Sequence, residues 1–191
     1  QSDDKTLRIW RTSDWTQEEC ISEPFVESGA TTHLLRPGWS PDGSFLVSAH
    51  AMNGGGPTAQ IIERSNWKCD RDFVGHRKAV TCVRFCDKML EKVNPKTGKT
   101  ETFVAVALGS RDRSFSVWCT NLKRPMFIIN DVFDQSVSDI SWSSRGNVIL
   151  ACSMDGTVAA TVLKQKEIGS ALSEQRTYEL MSSAYGASFG K

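Results

Sequence analysis

The sequence predicts an all-β fold: a partial β-propeller of about three and a half blades out of a probable seven, with a short C-terminal non-propeller tail. Three observations carry this. A turn-and-strand element recurs: Ser2-Asp3-Asp4-Lys5-Thr6-Leu7-Arg8-Ile9-Trp10 aligns with Ser110-Arg111-Asp112-Arg113-Ser114-Phe115-Ser116-Val117-Trp118, and with decay to Ser153-Met154-Asp155-Gly156-Thr157-Val158-Ala159-Ala160-Thr161. Asp112 and Asp155 lie 43 residues apart, within the roughly 40–45 residues of one four-stranded blade. A second element precedes the first: Trp39-Ser40-Pro41-Asp42-Gly43, Phe85 and Trp142-Ser143-Ser144-Arg145-Gly146 each close a strand, and a mostly apolar run follows each.

Taken in order, the chain opens on a third blade strand, Leu7–Arg11, and a fourth near Cys20–Phe25 closes that blade. A full blade is expected from Leu34 to Phe73 and another from Val80 to Ile129. Within the latter, Cys86 to Thr102 is polar and charged and reads as a mobile surface loop inserted between two strands. The last blade supplies Val137–Trp142, Val148–Ser153 and Val158–Leu163. That makes about thirteen strands where a seven-bladed ring needs about twenty-eight, so the chain is expected to be incomplete. A polar start without Met agrees with that expectation. Residues 1–163 are thus assigned to the C-terminal portion of a propeller. Residues 164–191 are assigned to a tail or linker with a short helix near Ser170–Ser182, where Leu172, Leu180 and Met181 cluster loosely.

Composition excludes several function classes. With 39% hydrophobic residues, 24% charged residues and a net charge of +1, the chain is neither a strongly basic nucleic-acid binder nor an acidic tail protein. No apolar run approaches the roughly 20 residues of a membrane span. The six cysteines include no C-x-x-C pair, and several sit in apolar runs. They are expected to be reduced thiols acting as small buried hydrophobes, with no metal site and no cofactor.

Gly75-His76, then Asp112, then Trp118 resemble the hallmark pattern of the WD40 family. By that resemblance, His76, a strand hydroxyl (Ser110 as candidate), Asp112 and Trp118 form a structural hydrogen-bond network. A His–Asp–Ser set could also suggest a hydrolase, but these residues occupy the family's scaffold positions, and no catalytic residue is assigned. Other repeats depart from the pattern: Phe133 replaces the His and Thr161 the Trp. In the Phe45–Arg64 repeat, His50 and a Gly-rich hairpin replace the Asp turn. Those blades are expected to rely on packing instead.

A more specific resemblance rests on longer strings: Thr31-Thr32-His33-Leu34-Leu35-Arg36, Val47-Ser48-Ala49-His50-Ala51-Met52-Asn53, Gly56-Pro57-Thr58-Ala59-Gln60-Ile61-Ile62-Glu63-Arg64 and Phe73-Val74-Gly75-His76-Arg77-Lys78. With Leu122-Lys123-Arg124-Pro125 they are similar to the N-terminal propeller of the HIRA (histone regulator A) family of histone chaperone subunits. The resemblance implies a nuclear, non-catalytic scaffold in a complex that deposits histone H3–H4 on chromatin independently of replication, affecting transcription. It implies a ubinuclein/Hpc2-type partner subunit, and histones and a co-chaperone reached indirectly through the complex, with no membrane or small-molecule substrate. The alternative, a WD40 substrate receptor of a ubiquitin ligase, would favour a Trp-Asp-x-Arg motif, which neither Trp10 nor Trp118 begins.

Propeller geometry opens the Asp turns and the His76 loop on one face. Lys5, Arg77, Lys78, Arg111 and Arg113 are expected to gather there beside the hairpin that carries Met52 and Asn53. This is the candidate partner-binding face, suited to an acidic segment.

Overall fold

A computed structural model describes residues 1–186, so residues 187–191 of the expected tail lie outside the described residues. The first sheet is an antiparallel pair, β1 (Leu7–Trp10) and β2 (Gln17–Ile21), with Leu7 opposite Ile21. Alternation decides its facing: Leu7 and Ile9 are buried while Arg8 and Trp10 are exposed. The strand expected near Cys20–Phe25 ends at Ile21, because Pro24 opens a short 3-10 turn over Glu23–Phe25.

The second sheet contains β3 (Gly38–Trp39), β4 (Phe45–Val47), β5 (Ala51–Asn53), β6 (Gly56–Glu63) and β7 (Arg71–Val74). β4 and β5 pair along the same long strand β6, and β7 pairs with β6 as well. Together β4 and β5 act as one blade strand interrupted at Ser48–His50. His50 there takes a left-handed φ of 54°, an uncommon conformation for a non-glycine residue.

The third blade has the order β13-β12-β11-β8, from β8 (Val80–Phe85), β11 (Ala105–Ser110), β12 (Phe115–Cys119) and β13 (Phe127–Ile129). The expected loop over Cys86–Thr102 is corrected here. It folds into an antiparallel hairpin, β9 (Leu90–Val93) with β10 (Thr100–Phe103), turning through Asn94–Lys99. The fourth sheet holds β14 (Val137–Trp142), β15 (Val148–Ser153) and β16 (Val158–Val162), the three strands expected.

The tail packs back on the blades. After α1 (Gln165–Ile168), β17 (Ser170–Ala171) adds to β9, and α2 (Glu174–Tyr185) follows a Ser173 N-cap that accepts from the Arg176 N–H. Gly169 lets β17 approach closely: its φ is 86°, and a Cβ there would lie 2.5 Å from the Glu91 carbonyl oxygen. Ile168, Leu172 and Met181 are buried, and the Tyr185 hydroxyl donates to the Asp42 carbonyl at 2.6 Å.

Burial explains the stacking. Three apolar cores lie between successive sheets. Leu7, Ile9 and Phe25 pack on Leu46 and Ile62; Val47 and Ala59 on Val83 and Leu108; Phe115 and Val117 on Val137 and Ile149. Each sheet is therefore covered by its neighbour, the packing logic of a propeller. Phe115 is fully buried, worth about 1.5–3 kcal/mol. The innermost strands also touch: Arg36 bridges in parallel to Cys82, and the Thr81 hydroxyl donates to the Val137 carbonyl at 2.6 Å. Arg36 and Arg84 both pair with Asp139, each at 2.9 Å.

Candidate interaction faces and the buried His76 network

The Asp turn recurs with the same internal bonding. Asp4, Asp112 and Asp155 each accept from the backbone N–H and the hydroxyl of the residue two positions on: Thr6, Ser114 and Thr157. Asp112 also ties its turn to the preceding loop, because its Oδ2 accepts the Arg77 N–H at 2.7 Å. Asp155 repeats that tie with the Asp134 N–H, also at 2.7 Å. The last blade thus keeps the aspartate half of the motif, while Phe133 fills the His position as a buried apolar residue.

The complete network stands in the third blade. His76 Nδ1 lies 3.2 Å from Asp112 Oδ2 and 3.1 Å from Ser114 Oγ, and its Nε2 lies 2.9 Å from Ser116 Oγ. The Trp118 indole N–H donates to that same Ser116 hydroxyl at 2.9 Å. The hydroxyl linking His76 to Trp118 is therefore Ser116. Ser110 sits one step away, donating to the Lys78 carbonyl at 2.9 Å and accepting from the Asp112 N–H. The signal was in the sequence: period-2 alternation puts Ser116 and Trp118 on one side of β12.

Burial alone would raise the Asp112 carboxyl. Hydrogen bonds from His76, Ser114 and the Arg77 N–H outweigh it and hold Asp112 well below the ordinary carboxylate value. Every polar atom in the set is engaged, and Ser116 is only 1% exposed, so this hydroxyl presents no open nucleophile. The cysteines divide by place. Cys82, Cys86 and Cys119 are buried, whereas Cys20 is exposed on β2, contrary to a uniformly buried set. Desolvation pushes the Cys82 and Cys119 thiols up to about 12, so they pack as hydrophobes.

On the face of the Asp turns, the His76 loop and the Asp112 turn are bonded together, so Arg77, Lys78, Arg111 and Arg113 emerge from one joined surface. Arg113 is engaged, pairing with Asp131 at 2.5 Å. Lys5 donates to the Val26 carbonyl at 2.9 Å. His50, close to Met52 in sequence, is buried, with its Nε2 3.2 Å from the Thr31 hydroxyl. Burial, together with the positive charges of Arg111 and Lys5, holds its imidazole below the ordinary value, while Asp3 opposes them. Met52 is half-buried opposite Pro57, and Asn53 donates to Asp72 at 2.6 Å.

Residues 130–159 match the WD domain, G-beta repeat family. The chain is 54% identical over 181 residues to Protein HIRA of Xenopus laevis, and 53% identical over 182 residues to Protein HIRA of Homo sapiens. It is 50% identical over 180 residues to the Protein HIRA homolog of Drosophila melanogaster. Each match takes in 93% of this chain and only 17–18% of the relative's own length.

Proposed function

Because this chain belongs to the HIRA family along its WD40 repeats, we propose that it is a non-catalytic protein-interaction scaffold in a nuclear histone chaperone complex. The complex deposits H3–H4 on chromatin independently of replication. Within it the propeller engages a ubinuclein/Hpc2-type subunit, and histones and co-chaperone are reached through the other subunits. One observation carries the reading: identity above 50% to relatives named HIRA extends over 93% of the chain. The His76–Asp112–Ser116 set supports a scaffold over an enzyme, since a buried, fully bonded His and Asp stabilise a fold and leave no group free to activate a substrate.

The binding face in this proposal is the one carrying Lys5, Arg77, Lys78, Arg111 and Arg113, with Met52 and Asn53 at its side. Its positive charge suits an acidic partner segment. The test is reconstitution of the full-length protein with the ubinuclein/Hpc2-type subunit and H3–H4. Co-elution that is lost when the propeller is deleted supports the scaffold role. Co-elution unchanged without the propeller overturns it.

A further inference from the structure

We propose that the face opposite the Asp turns docks an extended acidic peptide bearing a bulky aliphatic side chain. The site is the groove between the β9–β10 hairpin and the Thr120–Met126 loop. Strand direction sets the face: β8 and β12 both run away from the Asp112 turn, so the hairpin after β8 and the loop after β12 emerge together on the far side. The proposal is independent of the basic-face reading, because the two surfaces share no residue.

The groove encloses about 600 Å³. Its walls are hydrogen-bonded to one another and to the tail. The Glu101 carboxylate accepts from the Asn94 amide at 2.6 Å and the Asn121 amide at 3.3 Å, tying hairpin to loop. Lys92 donates to the Glu167 carbonyl at 2.9 Å, tying hairpin to tail. A preformed site spares a peptide partner part of the ordering cost of binding.

Its chemistry selects the occupant. Val93 is 57% and Leu122 48% exposed, apolar surface left open beside Pro125 and Met126. Four cations line the groove, Lys92, Lys96, Lys123 and Arg124, against the carboxylates of Glu101 and Glu167. Lys96, Lys123 and Arg124 have no ion-pair partner among the described residues. A second cleft of about 730 Å³ shares Leu122 and Lys123 and is lined by Phe45, Phe73 and Trp118. Leu122 is thus a ridge between two apolar slots with cations at its edge. An extended chain crossing it can place an aliphatic side chain in a slot and carboxylates against Lys123 and Arg124.

The test uses the full-length protein and a fluorescein-labelled peptide alternating Asp with Leu, read by fluorescence anisotropy. Saturable binding is expected, weakened about tenfold by Lys123→Glu with Arg124→Glu, and again by Leu122→Asp. Arg111→Glu with Arg113→Glu should leave it unchanged, and melting curves confirm that each variant folds. The proposal is overturned by any of four results: no saturable binding; equal binding to the groove variants; equal binding of a peptide with Ser in place of Leu; or displacement by a single-stranded oligonucleotide, which would make the groove a nucleic-acid site.

Discussion

The Trp118 indole N–H donates to the Ser116 hydroxyl at 2.9 Å, with Ser116 fully inside the third blade. Removing that oxygen strands two ring nitrogens, one on Trp118 and one on His76. Ser116→Ala should therefore cost about 1–3 kcal/mol of unfolding free energy, the usual penalty for an orphaned buried group. Denaturant unfolding of the full-length protein checks this. Asp112→Ala should cost a similar amount, and the double variant should cost less than the two singles added, because both belong to one network.

The repeat, the Asp turns and the three strands of the last sheet were legible in the sequence because each is local: a turn residue followed by an alternating strand. Two features were not. The charged stretch after Cys86 lacks a strong apolar pattern, and its hairpin gains a third strand from Ser170–Ala171, some eighty residues away. The helix begins at Glu174 rather than Ser170 for the same reason, since those residues are taken by β17. In the site, Ser110 and Ser116 are both serines near Asp112, but Ser110 ends β11 before the turn while Ser116 lies in β12, two residues from Trp118 and on its side of the strand.

Acid should destabilise the blade through Asp112. Its folded-state pKa is depressed, so the stabilisation is fully present above the ordinary value of 3.8 and is lost as pH falls toward the folded value. Urea unfolding measured from about pH 5 downward should show a falling midpoint. Asp112→Asn should start lower and fall less steeply over the same range.

Gly109 marks where the third and fourth blades meet. A Cβ there would stand 2.5 Å from Val137 Cγ1 and 2.7 Å from Cys82 Sγ, both in the packed core. Gly109→Ala should therefore destabilise by about 1–3 kcal/mol, the range for overpacking a filled core. A thermal melt reads this directly, and shaving the neighbour with Val137→Ala in the same chain should recover part of the loss.

The central claim is a partner-binding scaffold whose Asp-turn face attracts an acidic segment. Its most direct test is the association rate of the ubinuclein/Hpc2-type subunit with the full-length protein, wild type against Arg111→Glu with Arg113→Glu. Arg113 is exposed and Arg111 half-buried on loops, and the exposed Arg113–Asp131 pair is worth at most about 1 kcal/mol, so melting should change little. At low salt the variant should associate about tenfold more slowly. The gap should narrow as added salt shortens the Debye length below about 10 Å. Equal rates at low salt, with both proteins folded, would contradict the account and leave this face as solvated surface.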